Sequence, residues 1–137
     1  MRVGAVGLLA TSLDLSRQVS VITHNHPEGI KGAAATSVAI WLARQRASAT
    51  DIRQELMARF DYDLDRTGDE IRPGYRFTEA SADSVPQALV CALEATSYED
   101  ALRNAVSIGG DSDTIAAIAG SVAEARFCIP QDIAAKA

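Results

Sequence analysis

A six-residue segment near the C-terminus joins two helical patterns and has the sequence Gly109-Gly110-Asp111-Ser112-Asp113-Thr114. Residues 98–108 before it predict an amphipathic helix, whereas residues 115–120 after it are small and apolar and predict a closely packed helix. The glycines allow the backbone to turn tightly and allow a ligand to come close. The segment therefore places two carboxylates and a hydroxyl on the first turn of a buried helix.

This acidic turn has two interpretations. Carboxylate and hydroxyl oxygens are the hard ligands that Mg²⁺ and Mn²⁺ select, so Asp111, Asp113 and Thr114 are candidate metal ligands. Asp and Ser also favour helix N-caps, and acidic residues suit the positive end of the helix dipole. The pattern alone leaves a metal site and an ordinary helix cap both open.

The rest of the chain predicts helices and no strands. No segment shows sustained period-two alternation, aromatic residues are only 5% of the chain, and alanine is abundant, which favours helices packed through small side chains. A chain of 137 residues has the size of one domain. We therefore expect residues 1–137 to form a single all-α domain with Trp41 in its core and a long irregular segment at 61–82. The predicted helices cover residues 13–21, 27–45, 48–60 (capped by Ser48 or Thr50), 84–95, 98–108 and 114–126.

Net charge and cysteine content restrict the kinds of partner that the protein can bind and the cellular compartment that we expect for it. The formal net charge is −5 and no basic cluster is present, so we expect no nucleic-acid binding. No apolar run approaches transmembrane length, and residues 1–7 are too short and glycine-broken for a signal peptide. Cys91 and Cys128 lie in apolar helical contexts and predict two buried thiols rather than a disulfide. The expectation is a cytoplasmic protein without a membrane partner.

Two longer segments carry a resemblance to a known family. The first has the sequence Thr23-His24-Asn25-His26-Pro27-Glu28-Gly29-Ile30-Lys31-Gly32-Ala33, and the second runs from Gly109 to Ser121. Shorter segments at 1–4, 69–77 and 84–86 follow the same pattern in the same order. Together they resemble the ADP-ribosylglycohydrolase family. The resemblance implies a compact orthogonal all-α fold with a two-metal site in a cleft, usually of magnesium, with manganese as an alternative.

The resemblance also implies an activity and roles for particular residues. Members of this family hydrolyse the glycosidic bond between ADP-ribose and a modified side chain, often arginine or serine. Asp111 and Asp113 match catalytic metal ligands, Thr114 matches a hydroxyl ligand, and His24 matches a histidine beside the ADP-ribose. A buried histidine bonded to a helix terminus is the alternative for His24. The residues after it, Asn25 and His26, are expected to be structural because they precede the helix start at Pro27.

One departure from the family pattern leaves two functional hypotheses open. Family members carry a Thr-Asp-Asp motif that supplies the other metal ligands, and this sequence contains none. The chain therefore resembles the C-terminal half of the family domain, and we expect a fold truncated at the N-terminus. The first hypothesis is a Mg²⁺-dependent ADP-ribosyl glycohydrolase that needs the complementing N-terminal half. The second is a catalytically inactive helical module that acts in binding or assembles as a homo-oligomer, most simply a two-fold dimer.

Overall fold

The computed structural model describes residues 26–76 and 81–135, and within these ranges it contains seven helices and no strand. The helical prediction and the all-α fold class are confirmed. The predicted helix at 13–21 and the apolar start of the chain lie outside the described residues. The helices are α1 Pro27–Arg44, α2 Ala49–Phe60, α3 Gly68–Ile71, α4 Ser81–Glu94, α5 Tyr98–Ile108, α6 Ser112–Phe127 and α7 Gln131–Ala134.

Local capping explains where three of the helices begin. Ser48 and Asp51 form a reciprocal capping box at the start of α2, and the Ser97 hydroxyl accepts a hydrogen bond from the Asp100 N–H at 3.1 Å at the start of α5. At α1 the His26 imidazole accepts a hydrogen bond from the Glu28 N–H at 3.3 Å. These starts agree with the sequence prediction because each cap uses residues within one helical turn.

Other boundaries differ from the prediction. Helix α4 begins at Ser81, so Ser84 is a buried residue inside the helix rather than its cap, and Pro86 also lies inside. Two serines three residues apart offer two start signals, and Asp83 suits the first turn of the longer helix. The segment predicted to be irregular contains α3, which a Thr67–Glu70 capping box starts and whose Gly68 N–H donates to the Glu94 carboxylate at 3.0 Å.

Helix α6 lies at the centre of the packing, in contact with α1, α4 and α5. Its apolar residues Ile115, Ile118, Ala119, Val122 and Ala123 are all buried. Small residues let α5 come close: a Cβ built on Gly120 would lie 3.1 Å from Leu102 Cδ2. The prediction of a closely packed helix after the acidic turn is therefore confirmed.

Arg126 fastens the C-terminal end of α6 to the C-terminal end of α4. Its guanidinium donates to the backbone carbonyls of Ala92, Leu93 and Ala95, the last two at 3.2 and 3.4 Å. A cation at this end complements the negative end of the α4 dipole and supplies donors to otherwise unpaired carbonyls. Burial lowers the pKa of Arg126, and the group stays charged because its ordinary value is so high.

Two predictions about single side chains are wrong. Trp41 is 42% exposed rather than in the core, because α1 packs through its small residues and leaves the large indole at the margin. Cys128 is exposed, because it follows α6 where the chain leaves the core, although Cys91 is buried as expected. Burial raises the pKa of the Cys91 thiol to about 12. Both cysteines are free.

None of the helices in the described part of the chain is long and apolar enough to cross a bilayer.

The backbone at Cys128 generates a stability prediction. Cys128 has φ 64° and ψ 153°, a combination that is essentially restricted to glycine. We expect Cys128→Gly to raise the free energy of unfolding by about 1 kcal/mol, because relief of strain of about 1–3 kcal/mol outweighs the extra chain entropy of glycine. Urea denaturation measures this change in the free energy of unfolding. Cys128→Ala is the control, since it removes the thiol but keeps the Cβ, and equal stability of the two variants would contradict the prediction.

Candidate functional site

The acidic segment forms a tight turn between α5 and α6, and its two glycines have positive φ angles. Gly109 has φ 80° and Gly110 has φ 62°, a region that residues with a side chain rarely adopt. A Cβ on Gly110 would lie 2.6 Å from Tyr75 Cε1 and 3.3 Å from the Arg76 carbonyl oxygen. The turn is therefore seated directly against the chain segment that follows α3.

A second contact holds that segment beside the turn. Arg72 donates to the Ser107 hydroxyl, near the end of α5, from Nε at 3.2 Å and from Nη2 at 2.9 Å, and it pairs with Asp69 at 2.5 Å. The Arg72 side chain thus links α3 to α5 instead of extending towards a ligand. The contact between Tyr75 and Gly110 could not be predicted from the sequence, because nothing within one turn of Tyr75 connects it to Gly110.

The two carboxylates of the turn face each other at the start of α6. Asp111 occupies the N-cap position but makes no side-chain capping bond. The pKa of Asp113 lies below its ordinary value, first because of a hydrogen bond with the Asp111 side chain and then because the backbone N–H groups of Thr114 and Asp113 donate to its carboxylate. The ordinary-cap interpretation therefore does not explain the position of the Asp111 side chain.

Two neighbouring carboxylates that are both ionised repel each other, and a shared proton or a bound cation removes that repulsion. Asp113 is exposed and Asp111 and Thr114 are half-buried, so a cation can reach all three from solvent. The Thr114 hydroxyl makes no hydrogen bond to any described residue. The arrangement is an oxygen-only donor set at the positive end of a buried helix.

This donor set fits Mg²⁺ in chemistry but is incomplete in number. Mg²⁺ is commonly held by one or two carboxylates and keeps several water ligands. Within residues 26–76 and 81–135, no group of three His, Cys, Asp or Glu side chains could hold a metal ion. Asp111, Asp113 and Thr114 are therefore candidates for only part of a metal site, and a two-metal centre would need further ligands.

The structure describes only some of the remaining candidate residues. His24, the predicted ADP-ribose contact, lies outside the described residues together with Asn25, so its role stays a prediction. His26 is exposed and caps α1, which agrees with its predicted structural role.

The contact between Gly110 and Tyr75 predicts a selective effect of substitution. Gly110→Ala should displace the turn, because its Cβ would overlap the Tyr75 ring and its φ is positive, at a cost of about 1–3 kcal/mol. Gly74→Ala is the matched control, since a Cβ there meets nothing within 4 Å. Thermal unfolding and Mg²⁺ titration of both variants measure the effect. Equal losses of stability and Mg²⁺ affinity in the two variants, or no loss in either variant, would contradict the contact between the turn and Tyr75.

Comparison with known proteins identifies the family of this chain. The sequence profile of the family described as ADP-ribosylglycohydrolase matches residues 1–136. A protein of the archaeon Archaeoglobus fulgidus, described only as uncharacterized, is 30% identical over an alignment of 151 positions, gaps included, which covers 96% of this chain and 50% of the relative. The chain thus spans about half the length of this curated relative. On the family match over nearly its whole length, the chain belongs to the ADP-ribosylglycohydrolase family.

Proposed function

We propose that this chain carries part of the metal site of a Mg²⁺-dependent hydrolase that cleaves the glycosidic bond between ADP-ribose and a modified protein side chain. Family membership supports hydrolysis of this kind. The single observation that supports the metal site is the Asp111 side chain, which occupies the N-cap position of α6 without a capping hydrogen bond, on the same turn as Asp113 and Thr114. Manganese is the alternative ion, since it prefers the same oxygen ligands.

Each residue of the turn has a distinct role in this proposal. Asp111 and Asp113 hold the ion by charge, and the Thr114 hydroxyl completes the protein's share of the ligands on the same helical turn. The ion, when bound, supplies a template and a Lewis acid for ribose hydroxyls at the anomeric centre. The contact between Gly110 and Tyr75 holds the turn in place, so that the two carboxylates need little rearrangement when the ion binds.

The ligands that this chain lacks are proposed to come from the part of the family domain that it does not span. The Thr-Asp-Asp motif of the family has no counterpart among the 137 residues. The relative is about twice as long as the matched region, which is enough chain for a second set of ligands. This complementing half would be covalently continuous with the chain or a separate polypeptide.

A helical module without catalytic activity is the second candidate function. The observation that favours it is the small number of ligands, since no third acidic, histidine or cysteine ligand joins Asp111 and Asp113 among the described residues. Trp41 and Val106 are large exposed apolar residues, 42% and 58% accessible, and such surfaces are typical of contacts with a partner or a second copy.

Calorimetric titration with Mg²⁺, followed by ADP-ribose, tests the proposal. We expect saturable Mg²⁺ binding that strengthens ADP-ribose binding, and Asp111→Asn should weaken Mg²⁺ binding at least about tenfold, because loss of even an outer partner of a metal ligand has an effect of that size. Asp63→Asn is the control, as Asp63 is an exposed carboxylate far from the turn in sequence.

Activity assays then separate the two candidates. ADP-ribosyl-arginine and ADP-ribosyl-serine are incubated with the chain, with and without Mg²⁺, alone and co-expressed with the unmatched half of the archaeal relative. Mg²⁺-dependent release of ADP-ribose that Asp111→Asn abolishes supports the enzyme. A folded chain that binds neither Mg²⁺ nor ADP-ribose and shows no turnover in either format rejects it in favour of the module.

A further inference from the structure

Residues 72–76, which follow α3 and form a supporting segment, run beside the end of α5 and the acidic turn. Arg72 bonds to Ser107, and Tyr75 contacts Gly110, so both contacts join residues 35 positions apart. Contacts with the same separation place the two stretches side by side in the same direction. The supporting segment therefore touches both the helix that leads into the acidic turn and the turn itself.

Arg72 makes the first of these contacts with several of its donors. Its Nε and Nη2 donate to the Ser107 hydroxyl oxygen at 3.2 and 2.9 Å, and its Nη1 donates to Asp69. The Ser107 oxygen accepts both because its own proton is donated to the Asn104 carbonyl at 2.8 Å. The planar guanidinium is thereby fixed between α3 and α5. A lysine, with one nitrogen on a flexible stem, would not reproduce this geometry.

The start of α3 is attached to the end of α4. The Gly68 N–H donates to the Glu94 carboxylate at 3.0 Å, and Ile71 is only 1% exposed. A Cβ on Gly68 would lie 2.9 Å from Glu94 Oε1, so the two helices meet in direct contact. The supporting segment therefore leaves a helix whose position the core already fixes.

Tyr75 makes the second contact and is held from behind by α4. Its hydroxyl lies 3.4 Å from the hydroxyl of Ser84, which is only 3% exposed. Its ring occupies the space beside Gly110, with Cε1 2.6 Å from the position of a Cβ there. Because Ser84 is buried in α4, the ring cannot move away from the turn without losing one of these contacts.

The acidic turn has little side-chain support of its own. Gly109 and Gly110 both have positive φ angles, and glycine loses more conformational freedom on folding than any other residue. Asp111 makes no capping hydrogen bond at the start of α6. Repulsion between Asp111 and Asp113, when both are ionised, favours opening of the turn. The supporting segment opposes this opening from outside.

We propose that Arg72 is a positioning residue for the acidic turn: through Ser107 and Tyr75 it holds residues 109–114 in the conformation that presents both carboxylates to an ion. The consequence for the ion rests on the proposed function. The order of the turn does not, because it can be measured with no metal present. Arg72 acts at a distance and touches neither the ion nor a substrate.

Two substitutions remove the Arg72 contact at solvent-accessible positions, so the chain is expected to stay folded. Ser107→Ala removes the acceptor, and Arg72→Lys removes the paired donors. Ser121→Ala is the matched control. The Ser121 hydroxyl also donates to a carbonyl of its own helix, that of Ala117 at 2.8 Å, but it accepts no bond from another described helix. Ser107→Thr keeps the hydroxyl and should restore the properties of the unaltered chain.

Amide hydrogen exchange of the full chain in EDTA measures the order of the turn. We expect exchange at residues 109–116 to become at least about tenfold faster in Ser107→Ala and Arg72→Lys, because local opening becomes easier. Residues 85–93 of α4 are buried and report unfolding of the whole domain, so their exchange should change less. Calorimetric titration should show Mg²⁺ affinity at least about threefold weaker in the same two variants and unchanged in Ser121→Ala.

The outcomes separate this inference from the proposed function. Unchanged exchange at the turn, a rise that residues 85–93 share by the same factor, or an equal effect of Ser121→Ala overturns the inference. Faster exchange at the turn with unchanged Mg²⁺ affinity also overturns it, because the conformation of the turn then has no effect on the ion. Selectively faster exchange in a chain that binds no Mg²⁺ supports Arg72 as the residue that holds the turn and rejects the proposed function.

Discussion

Burial of α6 is the constraint on which the rest of the structure depends. The helix contacts α1, α4 and α5, and its small residues allow these neighbours to come close, as Leu102 does at Gly120. Its two ends are held by different means: Arg126 bonds to the last carbonyls of α4, and the Gly109-Gly110 turn is seated against Tyr75. Because both ends are fixed, the first turn of α6 presents Asp111, Asp113 and Thr114 in a defined orientation.

That orientation has an energetic consequence. Two carboxylates brought together repel each other, and an ordinary N-cap avoids this by directing its carboxylate to backbone N–H groups. Here Asp113 receives such donors, whereas the Asp111 side chain makes no capping bond. A structure held in place by core packing can maintain two carboxylates on one turn, and a bound cation would remove the repulsion between their ionised forms.

The proposed metal site is incomplete within the described residues. Among residues 26–76 and 81–135, no third acidic, histidine or cysteine side chain joins Asp111 and Asp113, so a two-metal centre would need ligands from additional chain. The curated relative is about twice as long as the region that matches this chain, which is long enough to supply them.

The amino-acid sequence by itself determined the helical class, the starts of α1, α2 and α5, the close packing of α6 and the family, because each of these depends on residues within a turn or on contiguous motifs. Only the tertiary structure decided that Asp111 makes no capping bond, that Tyr75 contacts the turn at Gly110, and that Trp41 and Cys128 are exposed. Tyr75 and Gly110 are 35 positions apart, and a contact over that distance follows from how the helices pack. Local patterns report which face of a helix is apolar but not which neighbour covers it, so the exposure of Trp41 on an apolar helix could not be predicted.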